Sequence, residues 1–432
     1  MWWRPGCYDL PEGSQRRVDC RRAAGPRADC YRVGISILRH QTAAAVKIPK
    51  HADIWLPGYV KARWASTRRR PRGTTIDILF CIADHFEPDY GSASPQLQDA
   101  RMARWTREYP ALGSFRDADG CPPRHTFFTP LEVYREEIID ALGALCARGF
   151  GEVEVHLHHG HDTSEHLRAR LIWFRDRLAS RHGLLGRLPT GKPAYGFVHG
   201  NWALDNGGTD ASTCGVNDEL TVLEETGCFA DFTMPAAPEY PQSRVVNQFY
   251  YAEDDRDRPR SYDRGVRMKV GTRGHRGLLM CEGPLMLNWS RRVRGVLPRL
   301  ETGTLDASPL NRPTLDRFRR WVRAGISVHG RPEWIFVKVH SHGAKEANAD
   351  VMLGAPMKAF HRDVLAEFND GRRYRLHYVT AREMYNIAKA AESGKSGNAG
   401  GYRDFSVSPP PFTAGPASAE SVRGHRALAV VP

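Results

Sequence analysis

The chain has 432 residues with 41% hydrophobic and 26% charged side chains, enough apolar material to bury a sizeable core, so disorder throughout is excluded. Its net charge of +13 attracts anionic partners without specifying one. No apolar run approaches the roughly 20 residues of a spanning helix, and the start, Met1-Trp-Trp-Arg-Pro-Gly, lacks the layout of a signal peptide, so the expectation is a cytoplasmic protein without a transmembrane segment. Nine cysteines, odd in number and with no Cys-x-x-Cys pair, indicate neither a disulfide framework nor a zinc-finger module.

Residues 1–72 are rich in Arg, Pro and Gly and end in Arg68-Arg-Arg-Pro-Arg; they read as an irregular basic arm with room for a helix or an anchoring strand. Hydrophobic periodicity then predicts alternation. Strands are expected at 75–83, 125–129, 153–158, 194–199, 229–234, 278–287, 334–339 and 374–379. Between them the three-and-four spacing of apolar residues predicts helices at 96–108, 131–148, 164–180, 217–225, 313–324, 357–368 and 381–392. The stretch 247–276 reads as an excursion over one end of the sheet, and 393–432, with its Gly, Ser and Pro runs, as a flexible tail. Strands alternating with helices imply parallel pairing, and no glycine-rich phosphate loop follows the first strand. The fold class expected for 73–392 is therefore α/β, a distorted or incomplete (β/α) barrel rather than a dinucleotide-binding fold.

Three strands run into polar clusters. Ile78 to Ala83 leads into Asp84-His85-Phe86-Glu87; Val153 to His158 leads into His159-Gly-His161-Asp162; Trp334 to His340 leads into Ser341-His342. In a barrel the carboxyl ends of strands converge on one mouth, where such residues can share an ion or a substrate. Imidazole and carboxylate donors suit zinc better than magnesium. His85, His158 and Asp162 are the candidate ligands, although Asp162 with Glu165 equally reads as a helix capping box, and His156, on the same strand face as His158, as a hydrogen-bonded histidine under the mouth. Asp84 is the candidate general base, or else one half of an Asp-His pair closing its strand. His340 or His342 is the candidate acid for a leaving group. The loop carrying His199, Asn201, Trp202 and Asp205 combines ring surface with amide and carboxylate groups, a composition suited to a sugar face and its hydroxyls; Glu282 and Lys338 are weaker mouth candidates.

Residues 75 to about 390 resemble the polysaccharide deacetylase superfamily, which implies a distorted β/α barrel and metal-dependent removal of acetyl groups from carbohydrates. The family's Asp-Asp pair at the end of its first strand matches Asp84-His85 here. Its two ligand histidines, four residues apart, match His158 and Asp162, and its late-strand acid falls on His340 or His342. The loop at His199 to Trp202 stands at the place of the family's substrate loop, without that loop's arginine. The resemblance implies a zinc-dependent hydrolase in polysaccharide metabolism, acting on an acetylated sugar or an anionic glycan. Alternatives from other classes are a glycoside hydrolase, which needs paired carboxylates, and a binding or biosynthesis scaffold without turnover. The basic charge comes with no nucleic-acid reading motif.

Overall fold

The computed structural model describes residues 49–66, 73–272 and 274–412, all within one compact unit that runs from Lys47. The first 48 residues of the basic arm, the arginine run 68–72 and the tail beyond 412 lie outside the described residues. The fold is mixed α/β. In chain order its first elements are α1 (Ala52–Ser66), β1 (Ile76–His85), α2 (Pro95–Glu108), β2 (His125–Pro130), α3 (Glu136–Leu145), β3 (Gly151–Leu157) and α4 (Ser164–Asp176). Then come β4 (Gly186–Arg187), β5 (Pro193–His199), α5 (Glu219–Glu225), β6 (Cys228–Asp231), β7 (Phe249–Ala252), β8 (Val266–Arg267) and β9 (Leu278–Cys281). A hairpin, β10 (Met286–Val293) and β11 (Leu297–Glu301), precedes β12 (Thr304–Leu305), α6 (Leu315–Ala324) and β13 (Trp334–Ser341). The chain closes with α7 (Glu346–Met352), α8 (Ala355–Phe368), β14 (Tyr374–Tyr378) and α9 (Ala381–Glu392).

Twelve strands form one sheet: ten run in the order β12-β13-β1-β2-β3-β5-β6-β9-β7-β8, and β14 pairs with β1 and β4 with β5 off that path. From β12 to β9 every pairing is parallel, as the alternation predicts; β7 and β8 are added antiparallel at one edge. β14 lies beside the first half of β1, and β2 pairs with its last three residues. Those edge strands fall in the stretch read as an excursion, and the strand expected at 278–287 divides into β9 and the start of β10. The break falls at Gly283-Pro284, where proline removes a ladder donor.

Strand periodicity of two sorts the core. Ile78, Phe80 and Ile82 of β1 join Phe127, Val153, Val155, Phe197, Val337 and the helix faces in one cluster. Leu79, Cys81 and Ala83 join Phe128, Val198, Phe336 and Met384 and Ile387 of α9 in the other. Helix α1, inside the stretch read as the arm, packs Trp55 against Ala237, Val246 and Leu285. The first part of the expected tail is held in place as well. Arg403 pairs with Asp117, Asp119 and Glu383, while Val407 is fully buried and its carbonyl accepts from Arg382. Charge pairing supplies the ordering that this segment's composition lacks.

Candidate metal centre

The last inward-facing residue of β1 is His85, and Glu87 follows two residues later. The same spacing recurs in His156 and His158 at the end of β3, and in His340 and His342 at the end of β13. Parallel pairing brings these three strand ends to one side of the sheet, and their side chains meet. The His85 ring centroid lies 4.8 Å from His156, 4.7 Å from His342 and 6.3 Å from His340. Ligand atoms of His85, Glu87 and His156 all lie within 4.8 Å of one another, close enough to coordinate a metal ion.

Glu87 is the centre of this arrangement. Its Oε1 stands 3.3 Å from His156 Nε2 and 3.2 Å from His158 Nε2, and its Oε2 3.0 Å from His342 Nδ1. Burial pushes the Glu87 carboxyl up, but the imidazoles around it, with His158 and His342 in hydrogen-bonding contact, outweigh it and hold the group well below the usual carboxylate range. The second nitrogens of two of these rings are committed. His156 Nδ1 is 2.9 Å from Val198 O, and a carbonyl only accepts, so Nδ1 carries the proton and Nε2 turns its lone pair to Glu87. His158 Nδ1 donates to Glu132 Oε1 at 2.6 Å. Burial opposes charge on His158, but the bonds to Glu132 and Glu87 outweigh it and raise the ring to about 10. His156 is held below the usual histidine range by burial, against the pull of Glu87. A neutral His156 cannot donate to Val198 and to Glu87 at once, so lone pair faces lone pair at 3.3 Å.

A second unmet group stands beside this contact. His85 Nδ1 is buried without a partner, and burial, with the neighbouring His342 and His156, keeps the ring neutral. A divalent cation between His85, Glu87 and His156 would answer both needs, and the Nδ1–H bond of His156 to Val198 O is the outer support that fixes a ligand imidazole. Gly200 makes room for the neighbouring ring: a Cβ there would lie 2.4 Å from His158 Cδ2.

Asp84 is placed elsewhere. It shares the face of Ile82 and is fully buried, with Oδ2 accepting from His125 Nε2 at 2.7 Å and Oδ1 from the Gly343 amide at 2.7 Å. The structure therefore brings His85, His158, His340 and His342 together and leaves Asp84 behind the strand. His340 is neutral through burial, reinforced by the Lys338 charge, and its Nε2 meets Thr304 Oγ1 at 2.9 Å. Trp202, held in a left-handed conformation at φ 59°, lies 5.2 Å from His85 and 5.5 Å from His340 between ring centroids; its Nε1 has no protein partner.

Asp162 belongs to a second cluster. His159, His199, Cys214 and Glu219 are all buried, with ligand atoms within 4.8 Å of one another, and this set too could hold a metal. Asp162 Oδ2 accepts from His159 Nδ1 at 3.1 Å, and His159 Nε2 lies 3.1 Å from Glu219 Oε1. Bonds to Asp162, Cys214 and Glu219 overcome burial and raise His159 well above its usual range, so as an imidazolium it serves both carboxylates by itself. Burial raises the Cys214 thiol to about 11, and His199 Nδ1 accepts from the Asn201 amide at 3.2 Å. Both features suit a hydrogen-bonded network. His199 Nε2 is nonetheless buried without a partner, and a metal held here by all four protein donors would have the ligand count of a structural site. Asn201 and Asp205 brace it: Asn201 Nδ2 donates to His159 O, and the Asp205 amide to Glu219 Oε2. Burial and the nearby Asp254 push the Asp205 carboxyl up to about 8. Glu282 is fully buried and pushed well up by burial, against the opposing pull of the Lys338 charge.

Sequence reasoning passed over Glu87 and Glu132. The signal for Glu87 was its two-residue spacing from His85, the same as in the other two pairs. Glu132 carries no such signal, because it reaches His158 from the loop after β2. No protein-family model matches the chain, and no curated protein matches it. No helix among the described residues is long and apolar enough to cross a membrane.

Proposed function

We propose that the chain is a metal-dependent hydrolase that removes an acetyl or related acyl group from a carbohydrate, with the reaction at the strand-end cluster. The observation that carries the metal is the facing pair of acceptors, His156 Nε2 and Glu87 Oε1, beside the partnerless His85 Nδ1. Zinc suits the imidazole and carboxylate donors. Its contribution is Lewis acidity toward water and an acyl carbonyl. The sheet is read as a distorted (β/α) barrel, supported by Lys338 of β13, whose ammonium reaches the Phe232 and Met234 carbonyls just beyond β6. The residue-level resemblance to polysaccharide deacetylases supports the acyl group and the sugar, and the Trp202 ring beside the cluster offers a face for stacking.

In this reading His342 moves the proton. Its Nδ1–H is tethered to Glu87 Oε2, leaving Nε2 to take a proton from attacking water and return it to the departing amine or alkoxide as the carbonyl bond breaks. Asp84 is then a positioning residue, because its bond to the Gly343 amide fixes the turn that carries His342. Gly343 permits that approach, since a Cβ there would lie 2.2 Å from Asp84 Oδ2.

The test pairs metal content with product analysis. Elemental mass spectrometry should find a divalent metal that His156→Ala loses, and acetylated oligosaccharides should release acetate without new reducing ends. A chain that takes up no metal on zinc reconstitution sinks the proposal. Reducing ends in place of acetate would transfer the reading to glycoside hydrolysis.

A further inference from the structure

The β10–β11 hairpin stands outside the main sheet as a two-stranded unit of its own. Its base is anchored: Leu285 and Met286 are buried, Leu287 and Leu300 pack on the Trp55 cluster, and Asn247 exchanges hydrogen bonds with the Leu285 backbone at 2.7 and 2.8 Å. Its tip is a two-residue turn, Arg294 and Gly295 at φ 51° and 72°, closed by the Val296 amide on Val293 O at 3.3 Å. Nothing in this architecture asks the tip to be apolar. Yet Val296 is 71% exposed, Trp289 58%, Leu297 54% and Val293 41%. Between Leu287 and Leu300 the chain also carries Arg291, Arg292, Arg294 and Arg299 and no acidic residue.

We propose that this hairpin seats the protein on an anionic lipid surface. Apolar and indole groups at the tip suit the boundary between headgroups and acyl chains, and the exposed guanidinium groups of Arg291, Arg292 and Arg294 suit the lipid phosphates. A soluble polyanion would account for the arginines but not for Val296 and Leu297 beside them. A second copy of the chain would bring four like charges against four in a molecule already at +13. The hairpin leaves the sheet after the carboxyl end of β9 and returns at Thr304, the residue bonded to His340, so it rises from the strand-end side. The docking rests on the hairpin alone and is independent of the acyl-hydrolase reading.

Co-sedimentation of the full chain with phosphatidylcholine vesicles, with and without 30 mol% (roughly, the usual anionic fraction) phosphatidylglycerol, tests it. Binding is expected to the anionic vesicles only. The neutral exchange Val296→Ser with Leu297→Ser should lower partition about tenfold, because it removes apolar burial at constant charge. Replacing Arg291 and Arg292 by Ser should cost about fivefold for each charge. Thermal unfolding of these exposed variants should stay unchanged. The proposal is overturned if the wild type ignores anionic vesicles at low salt, or if the serine variant binds them equally well, which would assign attraction to the rest of the basic chain. It is also overturned if the hairpin changes abolish only self-association, or only binding to an acidic polysaccharide.

Discussion

Two polar clusters at different ends of β1 have opposite electrostatic characters. Near the strand's start, Asp77 and Asp119 flank His377, whose nitrogens meet them at 2.8 Å each. Arg375 adds a two-pronged bond to Asp77, and Arg403 spans Asp117 and Asp119. Ligand atoms of Asp117, Asp119 and His377 are as close together as those of a metal site, but every one already has a protein partner. At the strand's end, by contrast, four imidazole rings surround one carboxylate, with a lone pair facing a lone pair and a ring nitrogen with no partner. Proximity of donors is common to both. Unmet bonding separates a place that calls for a ligand from a place that holds the fold.

That contrast breaks first at His156. Its replacement by Ala should remove most of the bound metal and lower acyl hydrolysis more than about a hundredfold, whereas His377→Ala should leave metal content unchanged. Elemental analysis of the two purified variants checks this, and equal metal loss in both would erase the distinction. Next in size is Arg403→Ala, which leaves Asp117 without its cation and Glu383 with Arg124 alone; it should destabilise the fold by about 3 kcal/mol in denaturant titration, again with metal retained. Asp84→Asn keeps the shape but weakens the bond to the Gly343 amide, and should lower turnover about tenfold without changing metal stoichiometry.

The smallest effect is in pH dependence. Burial lowers the His377 imidazole, but the bonds to Asp119 and Asp77 outweigh it and raise it above its usual value. A raised folded value means that the stabilisation is fully present below roughly pH 6.5, the unfolded histidine value, and lost as pH rises through the folded one. Stability measured from pH 6 upward (roughly neutral to alkaline, the range where this ring titrates) should therefore decline more steeply in the wild type than in His377→Gln. Equal slopes would show that the ring carries no charge in the folded protein.

The strand-end cluster was largely legible in the sequence. Apolar runs ending in His and Asp marked three strand ends, and parallel pairing follows from alternation with helices. The reading slipped by one residue on β1: Asp84 and His85 are neighbours, so period two sends them to opposite faces, and the partner of His85 on its own face is Glu87. Asp162 slipped for a different reason. It is close to His158 along the chain, but the turn after β3 directs it to His159, where a pattern of spacing carries no information about direction.

The sequence by itself determined the α/β alternation, the helix and strand faces, and which strand ends bear histidines, because these depend on local periodicity and on a chain's own burial preference. Tertiary structure alone decided that Glu132 supports His158, that Arg403 orders the segment after α9, and which of two acidic residues shares a face with His85. Hydrogen-bond partners distant in sequence are chosen by packing, since a buried polar group binds whatever the fold brings within reach.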